Sequence, residues 1–143
     1  MLFADHKGLD LTPRFLLDTH VVVRWLADPR RLSRDQTRIL TEVIQRRESV
    51  AVSAITLLEL ALLSGENIIR LKLNVDEVFA ELEASPVFRI FPITVDIARE
   101  VSLLAALRDP ADRVIVATAR LHGLRLLTSD HRIIESNFVS VVE

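Results

Sequence analysis

Four acidic residues stand out by where they fall. Leu16-Leu17-Asp18-Thr19-His20 and Leu126-Leu127-Thr128-Ser129-Asp130 each end a short apolar run in hydroxyls and a carboxylate. Glu59 interrupts the otherwise apolar stretch from Ala54 to Leu63, and Asp112 stands two residues before the apolar Val114-Ile115-Val116-Ala117. Carboxylate oxygens are the ligands that Mg2+ and Mn2+ prefer. Gathered in one cleft, these side chains suit hydrolysis of a phosphodiester, in which bound ions activate a water and stabilise the attacking and leaving oxygens. Without cations such a cluster would repel itself and raise its members' pKa values.

Each acid also has a purely structural reading. Asp18 can cap the helix that follows it. Asp109 as N-cap, Pro110 at the first helical position and Asp112 at the third make a good helix start. Glu59 is harder to explain in this way, because an unpaired carboxylate on a helix apolar almost all round costs several kcal/mol, on the order of a lost ion pair. Its structural alternative is a buried pair with an arginine.

The elements that must position these residues alternate between strand and helix. Strands are expected over 14–17, 49–53, 87–93, 124–128 and 138–141. Helices are expected over 21–26, from Ser33 as N-cap to 47, then over 54–63, 75–84, 95–107 with Thr94 as cap, 110–122 closed by Gly123, and a short turn over 130–135. Residues 66–74 are ambiguous, and 1–13 read as a flexible leader. This alternation predicts parallel pairing with right-handed crossovers, hence a three-layer α/β/α sandwich around a central, mainly parallel sheet. In such sheets ligands bind outside the carboxyl ends of the strands, where Asp18 and Asp130 fall.

Composition narrows the function classes. The chain has 143 residues, enough for one well-buried core, and half are hydrophobic. A formal net charge of −2 argues against a protein that coats nucleic acid through bulk charge. No apolar run reaches the ~20 residues of a membrane span, so the cytoplasm is the expected location. There is no cysteine, and the four histidines show no zinc-type spacing. A Gly-rich phosphate loop followed by lysine is absent. A phosphoacceptor receiver would want a lysine near its aspartates, and Lys7 and Lys72 both lie outside the strand ends.

Taken in order, the segments around Asp18, Ser53–Ala61, Arg108–Ala119 and Leu127–Asp130 resemble the motifs of PIN-domain proteins, in particular toxins of the virulence-associated protein C (VapC) type. The resemblance spans about 15–141 and implies a Rossmann-like PIN domain over 14–143. It further implies a Mg2+- or Mn2+-dependent endoribonuclease with Asp18, Glu59, Asp112 and Asp130 as catalytic and metal-binding residues. Thr19 and Ser129 match hydroxyl positions that hold a carboxylate or a metal-bound water, and Asp109 matches an extra acidic position. Arg24 and Arg113 are candidate contacts to RNA or to a partner. The family further implies a homodimer and a small cognate antitoxin that blocks the cleft, with DNA bound only through that antitoxin. A homodimer is also expected because the 54–63 helix is apolar on more faces than one sheet can cover. Two alternatives stand beside the toxin: a PIN nuclease of RNA processing without an antitoxin, and a catalytically silent binding module.

Overall fold

The computed structural model describes residues 12–63 and 73–143. The expectations for 1–11, and for the chain from Ser64 through Lys72, lie outside the described residues. Five strands form one parallel sheet in the order β3-β2-β1-β4-β5: β1 Phe15–Leu17, β2 Val50–Ser53, β3 Phe88–Phe91, β4 Arg125–Leu127 and β5 Val141–Val142. Among the described residues seven α-helices connect them: α1 Thr19–Ala27, α2 Arg34–Gln45, α3 Ala54–Leu63, α4 Val75–Ala84, α5 Val95–Val101, α6 Pro110–His122 and α7 His131–Ser136. Among the described residues no helix is long and apolar enough to cross a membrane.

The layering follows from the two-residue period of a strand, which sends successive side chains to opposite faces. Leu17, Val50, Val52 and Leu127 join one core with Val21, Trp25, Leu40 and Val78. Their neighbours Leu16, Ala51 and Leu126 join a second core with Ile97, Ile115, Val116 and Ile133. Apolar residues on both faces of the central strands make the sheet the middle of three layers.

Several boundaries differ from the expectation. The helix expected over 95–107 stops at Val101, and Ser102, Leu103 and Leu104 each donate a backbone N–H three residues back. Leu104 and Leu107 are still buried, so the apolar spacing that suggested more helix is satisfied by a turn. The last strand is Val141–Val142, later and shorter than 138–141. Asn137 takes a left-handed conformation (φ 58°), and the Phe138 carbonyl accepts from Arg120 Nη1 at 2.7 Å instead of entering the sheet. The third strand is likewise trimmed from 87–93 to Phe88–Phe91.

From β1 the chain builds outward to β2 and β3, then crosses back to lay β4 on the other side of β1. The point where the strand order reverses is the gap between β1 and β4. In open parallel sheets this gap is where a ligand cleft forms at the carboxyl ends. The backbone N–H of Asp18 donates to Leu127 across it, at 3.1 Å.

Candidate active site

Asp18 leaves β1 at this switch point and is buried, at 6% exposure. One carboxylate oxygen caps α1 by accepting from the Val21 N–H at 3.1 Å, and the other accepts from the Thr128 hydroxyl. The structural reading of Asp18 as a cap is therefore true, and it coexists with a position at the cleft. Thr128, itself buried, also accepts from the Asp130 N–H at 3.1 Å, so one hydroxyl ties the ends of β1 and β4 together. Asp130 caps α7 through the Arg132 N–H at 2.9 Å. Asp109 caps α6 through the Ala111 and Asp112 N–H groups, at 2.8 and 3.4 Å.

Glu59 does not sit on a helix buried on most sides, as its sequence suggested. Only Thr56 and Leu60 of α3 are buried, while Leu58 and Leu62 are 53% and 70% exposed. Glu59 is half-buried and turned toward α1, where Thr19 Oγ1 donates to it. Thr19 Oγ1 also lies 3.0 Å from the Thr56 hydroxyl, one helical turn before Glu59. No arginine pairs with Glu59, so a buried ion pair is not formed there among the described residues.

Electrostatics join these residues. The Asp112 carboxyl is pushed up to about 7, first by burial and then by the charges of Asp109, Asp130, Glu59 and Asp18. Glu59 is also raised, first by burial. The Thr19 hydrogen bond opposes that rise, Asp109 adds to it, His20 opposes it and Asp18 adds to it. The acids lie within Coulomb reach of one another, and none of the five is in an ion pair among the described residues. Coordination is a stricter condition. Among the described residues no group of three or more His, Asp or Glu side chains is gathered closely enough to hold a metal ion. The donor set is nonetheless all oxygen and carries uncompensated negative charge, the chemistry that fits Mg2+ or Mn2+.

Of the supporting residues, Thr19 donates to the Glu59 carboxylate. Ser129 instead accepts from Arg24 Nη1 at 3.3 Å and from Gln36 Nε2 at 3.5 Å. Arg24 thus reaches the end of β4 and stands beside the centre. Arg113 does not face outward as a free contact. Its guanidinium donates to the carbonyls of Leu107 and, at 3.4 Å, Ala105, which braces the turn before α6 and withdraws those donors from a phosphate. Sequence reasoning missed Thr56 and Thr128. The signal for Thr128 was its place at the end of an apolar strand, and for Thr56 its spacing of three residues before Glu59 on one helix face.

Thr19→Val should raise the Glu59 pKa above its already raised value, because it removes the one hydrogen bond that favours the charged form. A carboxyl-detected NMR titration of parent and variant measures this directly. An unchanged or lower Glu59 pKa in the variant would mean that Thr19 does not hold that carboxylate.

Known proteins resemble this chain in sequence and fold. The PIN domain family model matches residues 15–138. Ribonuclease VapC22 of Mycobacterium tuberculosis is 38% identical over 120 residues, which cover 82% of this chain and 88% of that protein. FitAcB of Neisseria gonorrhoeae superposes with a TM-score of 0.61 at 26% identity, covering 90% of this chain and 96% of that one. A toxin–antitoxin complex from Klebsiella pneumoniae gives a TM-score of 0.62 at 23% identity over 90% of this chain and 95% of that one, a likeness of fold. With its acids at the β1/β4 switch point, the family model matched over most of its length and a ribonuclease relative at this identity, the chain belongs to the PIN-domain family.

Proposed function

We propose that this chain is a cytoplasmic endoribonuclease that depends on Mg2+ or Mn2+ and acts as the toxin of a toxin–antitoxin pair. The observation that carries this reading is the set of carboxylates at the sheet's switch point, with Asp112 pushed up to about 7 and none of the acids in an ion pair among the described residues. The identity to Ribonuclease VapC22 supports RNA as the substrate. Asp18, Glu59, Asp112 and Asp130 would hold the ion. Mg2+ usually keeps several waters and takes substrate phosphate as a ligand, so an open carboxylate set suits it. When bound, the ion would activate a water and offset charge on the phosphate oxygens.

The chain's own residues supply orientation and proton balance. Thr128 fixes Asp18, and Thr19 fixes Glu59, so two of the four carboxylates have a set direction before RNA arrives. The raised pKa of Glu59 suits a group that takes a proton from the attacking water. Arg24, held at Ser129 on the rim, is a candidate phosphate contact. Leu58 and Leu62, exposed on α3, support burial against a second copy or an antitoxin.

The test is cleavage of a mixed RNA pool by purified protein. Cutting is expected with Mn2+, and EDTA should abolish it. Full activity in EDTA would reject the metal-dependent mechanism, and no cutting in Mn2+ would reject the ribonuclease.

A further inference from the structure

A cavity of about 610 Å3 opens beside the acidic centre, between the connection into α6 and α7. One wall carries Arg108, Asp109 and Asp112, and the other carries Arg132, Glu135 and Phe138. Its size falls within the ~300–1,000 Å3 usual for small-ligand sites, which is room for one nucleotide. Because Asp109 and Asp112 form part of the wall, whatever fills the cavity lies directly against the reaction centre.

The groups around it are unspent. Arg108 and Arg132 make no ion pair among the described residues, although carboxylates share the cavity with them. Arg14 and Arg120, by contrast, are ion-paired, to Glu48 at 2.8 Å and to Glu100 at 2.6 Å. Phe138 is held in place from behind the cavity lining. Its carbonyl accepts from Arg120 at 2.7 Å, and the same guanidinium lies 5.9 Å from its ring centre. Single-stranded RNA is recognised with such groups: guanidiniums for phosphate, an aromatic ring for a base face, and a polar side chain for the base edge.

We infer that this cavity binds the nucleotide next to the scissile phosphate. Arg108 and Arg132 grip the backbone phosphate, Phe138 packs against the base, and Glu135 accepts from a base amino group. The cavity then both positions the strand across Asp112 and reads one flanking base, disfavouring uracil, the one base whose pairing edge carries no amino donor. Its place beside the scissile bond rests on the proposed ribonuclease activity.

The experiment has two separate arms. The first measures anisotropy of a labelled mixed-sequence RNA hexamer with the full chain carrying Asp18→Asn, with and without Arg108→Ala/Arg132→Ala. Binding should weaken about tenfold. The slope of log affinity against log salt should flatten by about 0.7, the contribution of one phosphate neutralised on a single strand. Glu135→Gln should reduce the discrimination against uracil at one position. Unchanged affinity and salt slope overturn the inference, and loss of antitoxin binding with RNA binding intact overturns it equally. The second arm is cutting of RNA by the parent with Mn2+. A parent that cuts while the double variant binds normally leaves the ribonuclease standing and removes the cavity. A parent that does not cut, but whose RNA binding depends on the two arginines, does the reverse.

Discussion

Replacing Asp112 by asparagine should give a protein that cuts no RNA yet melts higher than its parent in EDTA at pH 8. The Asp112 carboxyl titrates at about 7 in the folded chain, against 3.8 for the free side chain. Between those values the folded state keeps a proton that the unfolded state has lost. Stability therefore falls as pH rises through that window, and the loss is complete above about pH 7. Glu59, raised chiefly by burial, adds a contribution of the same sign. An amide cannot ionise, so the variant escapes the loss due to Asp112, and its advantage over the parent is greatest at high pH. Asp112 is half-exposed, and solvent screening leaves on the order of 1–2 kcal/mol of this cost. For a domain of this size that is about 3–8 °C in Tm. Scanning calorimetry from pH 4 to 8 measures it. A parent whose stability is flat or rising through the window would remove the electrostatic account of Asp112.

Asp18 should behave in the opposite sense although it serves the same centre. Its carboxylate is buried and satisfied on both oxygens, by the Val21 N–H and the Thr128 hydroxyl. Asp18→Ala removes a helix cap and leaves the Thr128 hydroxyl without that acceptor, which should cost about 1–3 kcal/mol. Asp18→Asn keeps an oxygen for the cap and an amide that can face Thr128, so its melting temperature should stay near the parent's. Both variants should lose RNA cutting, by roughly a thousandfold or more if the carboxylate is a direct ligand worth ~4 kcal/mol in the transition state. Thermal melts and single-turnover cleavage separate the two effects. If Asp18→Asn cuts at the parent's rate, Asp18 is a cap and nothing more.

The two cases show what the sequence could carry. The bounds of α3, the Ser33 cap of α2 and the Asp109-Pro110 start of α6 are local devices, and local patterns disclose them. The parallel sheet was legible because strands and helices alternate, and with it the strand-end positions of Asp18 and Asp130. The partners of the acids were not legible. Thr128 meets Asp18 across 110 positions of chain and Thr19 meets Glu59 across 40, and no local spacing encodes such contacts. The burial of Glu59 was overestimated for a related reason. An apolar helix does not reveal which face its own domain covers, and α3 leaves Leu58 and Leu62 exposed. Arg113 has the chemistry of a phosphate contact, yet backbone carbonyls claim it, in a turn whose apolar spacing imitates helix.

The central claim is that these carboxylates bind a divalent ion, and the described side chains do not by themselves close around one. Isothermal titration of Mn2+ into chelator-stripped protein at pH 6.5, where Asp112 still holds its proton, tests the claim most directly. Saturable binding is predicted in the parent, with proton release as Asp112 gives up its proton, and loss of that binding in both Asp18→Asn and Asp112→Asn. No saturable heat in the parent, or the same binding in all three proteins, would contradict it.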